Sequence, residues 1–177
     1  MLIELAALQI GLVALIAAPG WDGLAGAIFG WLLLALAITD VERFRLPSSM
    51  TALLALSGLG AGLAGFVPDI TERLIGGVAG FASLTLIALG YRLIRKRDGM
   101  GGGDPKMLGA IGLWLGWQAL PMVLVAASMI GLIAVLIRYL RGQSIAGDVA
   151  LPFGALLALA AFPIWAITAA LPNLRFG

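Results

Sequence analysis

Cysteine and histidine are both missing from the 177-residue chain. Without cysteine there is no disulfide and no thiolate zinc site; without histidine there is no imidazole base and no imidazole to ligate haem. Charge is scarce as well, with 11% of residues charged against 62% hydrophobic and a mean hydropathy of +1.08. So little polar surface excludes a soluble globule of this length and suits a polytopic membrane protein. The net charge of +2 is too small for a nucleic-acid binder, so the expected partner by composition is membrane lipid and not nucleic acid.

Long apolar runs make up most of what is present. They fall at about 2–18, 23–39, 51–67, 74–94, 107–117, 121–137 and 149–171. The first carries Glu4 and no basic flank, so it reads as a retained helix and not as a cleaved signal peptide. Gly26 and Gly30, Gly76 and Gly80, and Gly112 and Gly116 each stand four apart, the spacing that lets membrane helices approach closely. Pro19-Gly20 turns the chain after the first run, the stretch from Pro68 to Arg73 turns it after the third, and Pro121 begins a helix. The expected fold class is all-α, a polytopic transmembrane helix bundle of seven membrane segments. The count falls to six if the short run from Met107 and its successor form one bent re-entrant unit.

Two polar islands interrupt these runs. One spans Asp40 to Met50; the other is Gly99-Met-Gly-Gly-Gly-Asp-Pro-Lys106, with four glycines in five positions. Glycine leaves the backbone free for close approach, and Asp before Pro predicts a helix start with Asp104 as N-cap and Pro105 at the first helical position. Asp40 closes the second apolar run, where an acidic side chain opposes the helix dipole. With both islands on the cytoplasmic side, nine of the 11 basic residues lie inside, and only Arg73 and Arg175 lie outside. The positive-inside rule therefore predicts a cytoplasmic N-terminus, with Asp40 and Asp104 at one membrane face.

Two carboxyl groups held close together share a proton: one remains ionised and can deprotonate water, while the other hydrogen-bonds a peptide carbonyl. That division suits hydrolysis of a peptide bond with no covalent intermediate and no metal or cofactor. The plainer readings are that the glycines form a loop, that Asp104 is a cap, and that Asp40 ends its helix among headgroups. Lys106 either holds the Asp104 carboxylate or reaches to the interface. Ser48 or Ser49 with Lys106 would make a rival Ser-Lys dyad, which nothing in the spacing supports. Trp114 and Trp117 read as packing or interface-belt residues. A small carrier or assembly scaffold that binds cations or protons through the paired Asp residues is the alternative of a different class. Carboxylates at the membrane edge, away from the midplane, disfavour it.

The chain resembles the type IV prepilin peptidases, membrane aspartyl proteases of the GxGD class. The resemblance rests on Asp40 followed after five residues by Leu46-Pro47, on Gly101-Gly102-Gly103-Asp104-Pro105-Lys106, on Leu108 to Gly116, and on Leu151-Pro-Phe-Gly154. It implies an aspartic endopeptidase in which Asp40 and Asp104 are the catalytic pair, with Gly101, Gly102, Gly103, Lys106, Leu46 and Pro47 around the active site. The implied substrates are prepilins and pseudopilins of type IV pilus and protein secretion systems, cut at the cytoplasmic face of the inner membrane between a basic leader and a hydrophobic helix. Residues 1–177 are then expected to form one integral-membrane peptidase domain. Pro105 departs from the aliphatic residue usual after the family's Asp. Longer members carry a Cys-containing extension associated with methylation of the new amine. A cysteine-free chain that opens on a membrane helix is expected to be a short form that cleaves without methylating.

Overall fold

The computed structural model of the chain describes residues 1–96, 101–142 and 151–171. Among them the only regular structure is helical, in seven elements: α1 Leu2–Ala17, α2 Trp21–Arg43, α3 Ser48–Leu63, α4 Ile70–Arg95, α5 Asp104–Leu115, α6 Leu120–Leu140 and α7 Phe153–Ala170. Four of them, α2, α4, α6 and α7, have 18 to 26 residues and are apolar enough to cross a membrane. At 1.5 Å per residue the 12-residue α5 is about 18 Å long, well short of the roughly 30 Å hydrocarbon core. The seven helices form an inside-out bundle, with large apolar side chains such as Val78, Leu132 and Leu12 on its outer surface, as lipid contact requires.

The short α5 is the centre of the bundle: ten of its 12 residues are buried, against α3, α4 and α7. Against α4 it is seated backbone to backbone. A Cβ on Gly76 would strike the Gly112 carbonyl, and one on Gly80 would lie 2.7 Å from the Leu108 carbonyl oxygen. The small-residue spacing in the sequence thus marks a real contact line, α4 on α5. On its other side Trp114 of α5 stacks on Phe29 of α2, centroids 4.9 Å apart, and donates its indole N–H to the Leu54 carbonyl of α3 at 2.9 Å. Trp114 is therefore a core residue, whereas Trp117 is half exposed at the bundle end.

Arg73 ties α3, α4 and α5 together at one end. Expected as a loop charge outside the membrane, it lies instead in the first turn of α4 and is 1% exposed. All five of its N–H groups donate to backbone carbonyls: Nε to Pro68, Nη1 to Gly58 and Leu113, Nη2 to Phe66 and Val67, over 2.8 to 3.3 Å. A guanidinium can be buried here because the carbonyls of Phe66, Val67 and Pro68 lie in the connection between α3 and α4 and that of Leu113 in the last turn of α5, where backbone acceptors lack helical partners. The Asp69 carboxylate starts α4 by accepting the Glu72 N–H at 2.9 Å, so the helix begins four residues before the apolar run suggested.

Two further boundaries differ from expectation. The helix carrying Asp40 does not stop there; α2 continues to Arg43, and Phe44 in the left-handed region (φ 49°) closes it by donating its N–H to the Asp40 carbonyl at 2.8 Å. Asp104 is the first residue of α5 and not its cap: Gly103 holds the cap position, and no side chain caps the helix. Gly99 and Met100 of the second island lie outside the described residues.

Candidate active site

Asp40 reaches the site from the last turn of α2, and Asp104 from the first residue of α5. Both are almost fully buried, at 5% and 6% exposure, and close enough for the charge of Asp40 to act on Asp104. Among the described residues neither forms a salt bridge. Two buried carboxylates without a cationic partner are costly to keep, and such costs are characteristic of functional sites.

The Asp40 carboxylate is held by a helix distant in sequence. Its Oδ2 accepts the backbone N–H of Ala155 at 2.9 Å, the third residue of α7. It thereby caps α7, which has no side-chain cap of its own, and faces the positive end of that helix. The unfavourable position of an Asp near the end of α2 is offset by the start of α7. Gly154 makes this possible, because a Cβ there would lie 2.9 Å from Oδ2 of Asp40.

Asp104 follows a tight turn in which its N–H donates to the Gly101 carbonyl at 3.2 Å and the Met107 N–H donates to that of Gly103 at 2.9 Å. Its Oδ2 folds back over Gly101, 3.3 Å from where a Cβ would stand. Gly102 is exposed with nothing within 4 Å of its Cβ position, leaving the turn open on that side. Gly103 packs on Leu46.

The remaining residues singled out in the sequence divide into two groups. Leu46 comes into the site. Pro47 acts as the start of α3, its carbonyl accepting both the N–H and the hydroxyl of Thr51 at 3.1 Å. Lys106 does not bind Asp104: it is exposed, and its Nζ reaches the Ser48 hydroxyl at 3.5 Å, the outer limit of a hydrogen bond. A lysine serving as base for a serine has to be stripped of water, and this one is not. Among the described residues no third Asp or Glu joins the pair to form a metal-binding cluster. Sequence reasoning missed the role of Ala155 and Gly154; Leu151-Pro-Phe-Gly154 was marked by resemblance, with nothing to say which side chain its backbone would receive.

A helical membrane bundle with two buried carboxylates at one end is the class of protein defined so far. A profile described as the type IV leader peptidase family matches residues 27–136, which include both aspartates, and the chain belongs to that family. It is 38% identical over 149 residues to the prepilin leader peptidase/N-methyltransferase of Aeromonas hydrophila, covering 84% of this chain and 51% of the relative. The like-named proteins of Burkholderia pseudomallei (strain K96243) and Neisseria gonorrhoeae are each 40% identical, over 89% and 77% of this chain and 51% and 48% of theirs. The chain thus spans about half the length of the curated relatives it matches. No solved structure matches it.

Proposed function

We propose that the chain is an aspartic endopeptidase that removes the basic leader from type IV prepilins or pseudopilins, with Asp40 and Asp104 as its catalytic pair. The observation that carries this reading is the burial of two carboxylates, close enough for the charge of one to act on the other, at the end of the bundle where α2 closes and α5 and α7 begin. Membership of the leader peptidase family and relatives named for prepilin cleavage support it.

In this mechanism water lies between the carboxylates. The ionised one takes a proton as the water oxygen bonds to the scissile carbonyl carbon; the protonated one donates to the carbonyl oxygen. The carboxyl that took the water's proton passes it to the leaving nitrogen while the other recovers its proton from the collapsing hydroxyl. The C–N bond breaks, leader and mature pilin are released, and the pair returns to its starting charge state. The Ala155 N–H keeps Asp40 oriented through the cycle. The concentration of basic residues at the same end, Arg43, Arg45, Arg95, Lys96, Lys106, Arg138 and Arg141 among them, supports a cytoplasmic position for the site in the inner membrane. The seven helices work as one integral-membrane peptidase domain.

The test is incubation of the purified protein, in detergent, with a model prepilin, followed by mass analysis. A new N-terminus at the junction of the basic leader and the hydrophobic helix is expected. An intact prepilin, under conditions in which a known leader peptidase cuts it, overturns the reading.

A further inference from the structure

We propose that Leu46 is a positioning residue that sets the spacing between the two carboxylates; this deepens the peptidase reading and rests on it. After Phe44 closes α2, the chain turns and brings Leu46 back toward the bundle, partly buried against its core. Its Cδ1 and Cδ2 lie 2.9 and 3.0 Å from the Cβ position of Gly154, and Asp40 Oδ2 lies 2.9 Å from that same point. Its Cβ and Cδ1 lie 2.8 and 3.2 Å from the Cβ position of Gly103, the residue before Asp104. One leucine therefore touches both backbones that fix the pair: the first turn of α7, which holds Asp40 through Ala155, and the cap of α5, which carries Asp104.

At each contact the neighbour is glycine, so the leucine seats directly on main chain with no side chain to give way. Main chain held in a dense interior does not slide freely. Truncating Leu46 opens a gap between the α5 and α7 segments, and they approach or drift by fractions of an ångström. A carboxylate pair that must hold one water and one carbonyl between its members is sensitive on that scale; a misplacement of about 1 Å can cost about a hundredfold in rate. Leu46 does no chemistry itself. Its effect passes through where Asp40 and Asp104 stand.

Two measurements on the full chain test this. In steady-state cleavage of a model prepilin, Leu46→Ala is expected to lower kcat about 10- to 100-fold with KM changed less than about threefold, and Leu46→Met, which keeps the volume, to stay within about threefold of the native kcat. A raised KM with native kcat would make Leu46 a substrate contact, and a lower melting temperature with native kcat would make it core filling; either overturns the proposal. The second measurement needs no activity. The chain has no cysteine, so Val41→Cys and Gly102→Cys accept nitroxide labels one residue from Asp40 and two from Asp104. Electron–electron dipolar spectroscopy is expected to give a narrow distance distribution that broadens or shifts with Leu46→Ala and recovers with Leu46→Met. An unchanged distribution overturns the positioning role even if the native protein cuts no prepilin, a result that would count against the peptidase reading instead.

Discussion

Asp40 and Ala155 stand 115 residues apart in the chain and are joined by a 2.9 Å hydrogen bond from the alanine amide to the aspartate carboxylate. Through it the end of α2 and the beginning of α7 become one structural unit, and the position of Asp40 depends on both helices.

Asp40→Asn and Asp104→Asn are each expected to lower prepilin cleavage by about 10² to 10⁴-fold, the range attributed to a positioned acid or base. Asn keeps the shape and an acceptor oxygen for the Ala155 amide, so membrane insertion and thermal midpoint are expected to be unchanged. Mass analysis of the product checks the first and detergent-phase melting the second. Ser49→Ala and Lys106→Ala are expected to cleave at near-native rates; loss of activity in these, with both Asn variants active, would point to a Ser-Lys mechanism.

Gly154→Ala is expected to cost about 1 to 3 kcal/mol and most of the activity, because its Cβ would stand 2.9 Å from both Asp40 Oδ2 and Leu46 Cδ1. Gly102→Ala adds the same methyl where nothing lies within 4 Å and is expected to fold and melt as the native protein does. Equal melting temperatures and rates for the two variants would contradict the crowding at Gly154.

Arg73→Met is expected to lower stability by about 3 to 5 kcal/mol, since it leaves the carbonyls of Gly58, Phe66, Val67, Pro68 and Leu113 without their side-chain donor where α3, α4 and α5 meet. Arg73→Lys is expected to recover only part, because an ammonium has three donors where the guanidinium uses five. Thermal unfolding measures both. Because Arg73 serves the end of the bundle remote from the aspartates, kcat of the folded fraction is expected to stay native.

Reporter fusions after Arg45 and Arg141 are expected to mark the cytoplasm, and a fusion near Asp69 the opposite side. The reverse pattern would remove the basis for cleavage at the cytoplasmic face.

Most of the helices were legible because a membrane protein announces its segments by length of apolar run, and because Pro105 and Pro121 mark the openings of α5 and α6. Which face of each helix meets lipid and which meets protein was not legible, since both are apolar and the usual contrast of periodicity disappears. Arg73 illustrates the difficulty. A lone charge between two runs reads as a loop residue, and only the convergence of Gly58, Phe66 and Leu113 carbonyls around it explains its burial. For the candidate site, the two aspartates and Leu46 stood out in the sequence, but the amide that receives Asp40 did not. A backbone N–H has no residue type to betray it.

The shortness of α5 bears on how the protein comes to exist in a bilayer at all. A helix of about 18 Å cannot be released into lipid as a stage of its own, and the glycine line it shares with α4 gives it a defined seat only once that neighbour is in place. Asp104 enters with α5, and the start of α7, which secures Asp40, comes later in the chain than both aspartates. It follows that the two aspartates come together only once α7 has been made and has docked on α2, so the order of the helices along the chain sets the order in which the site assembles.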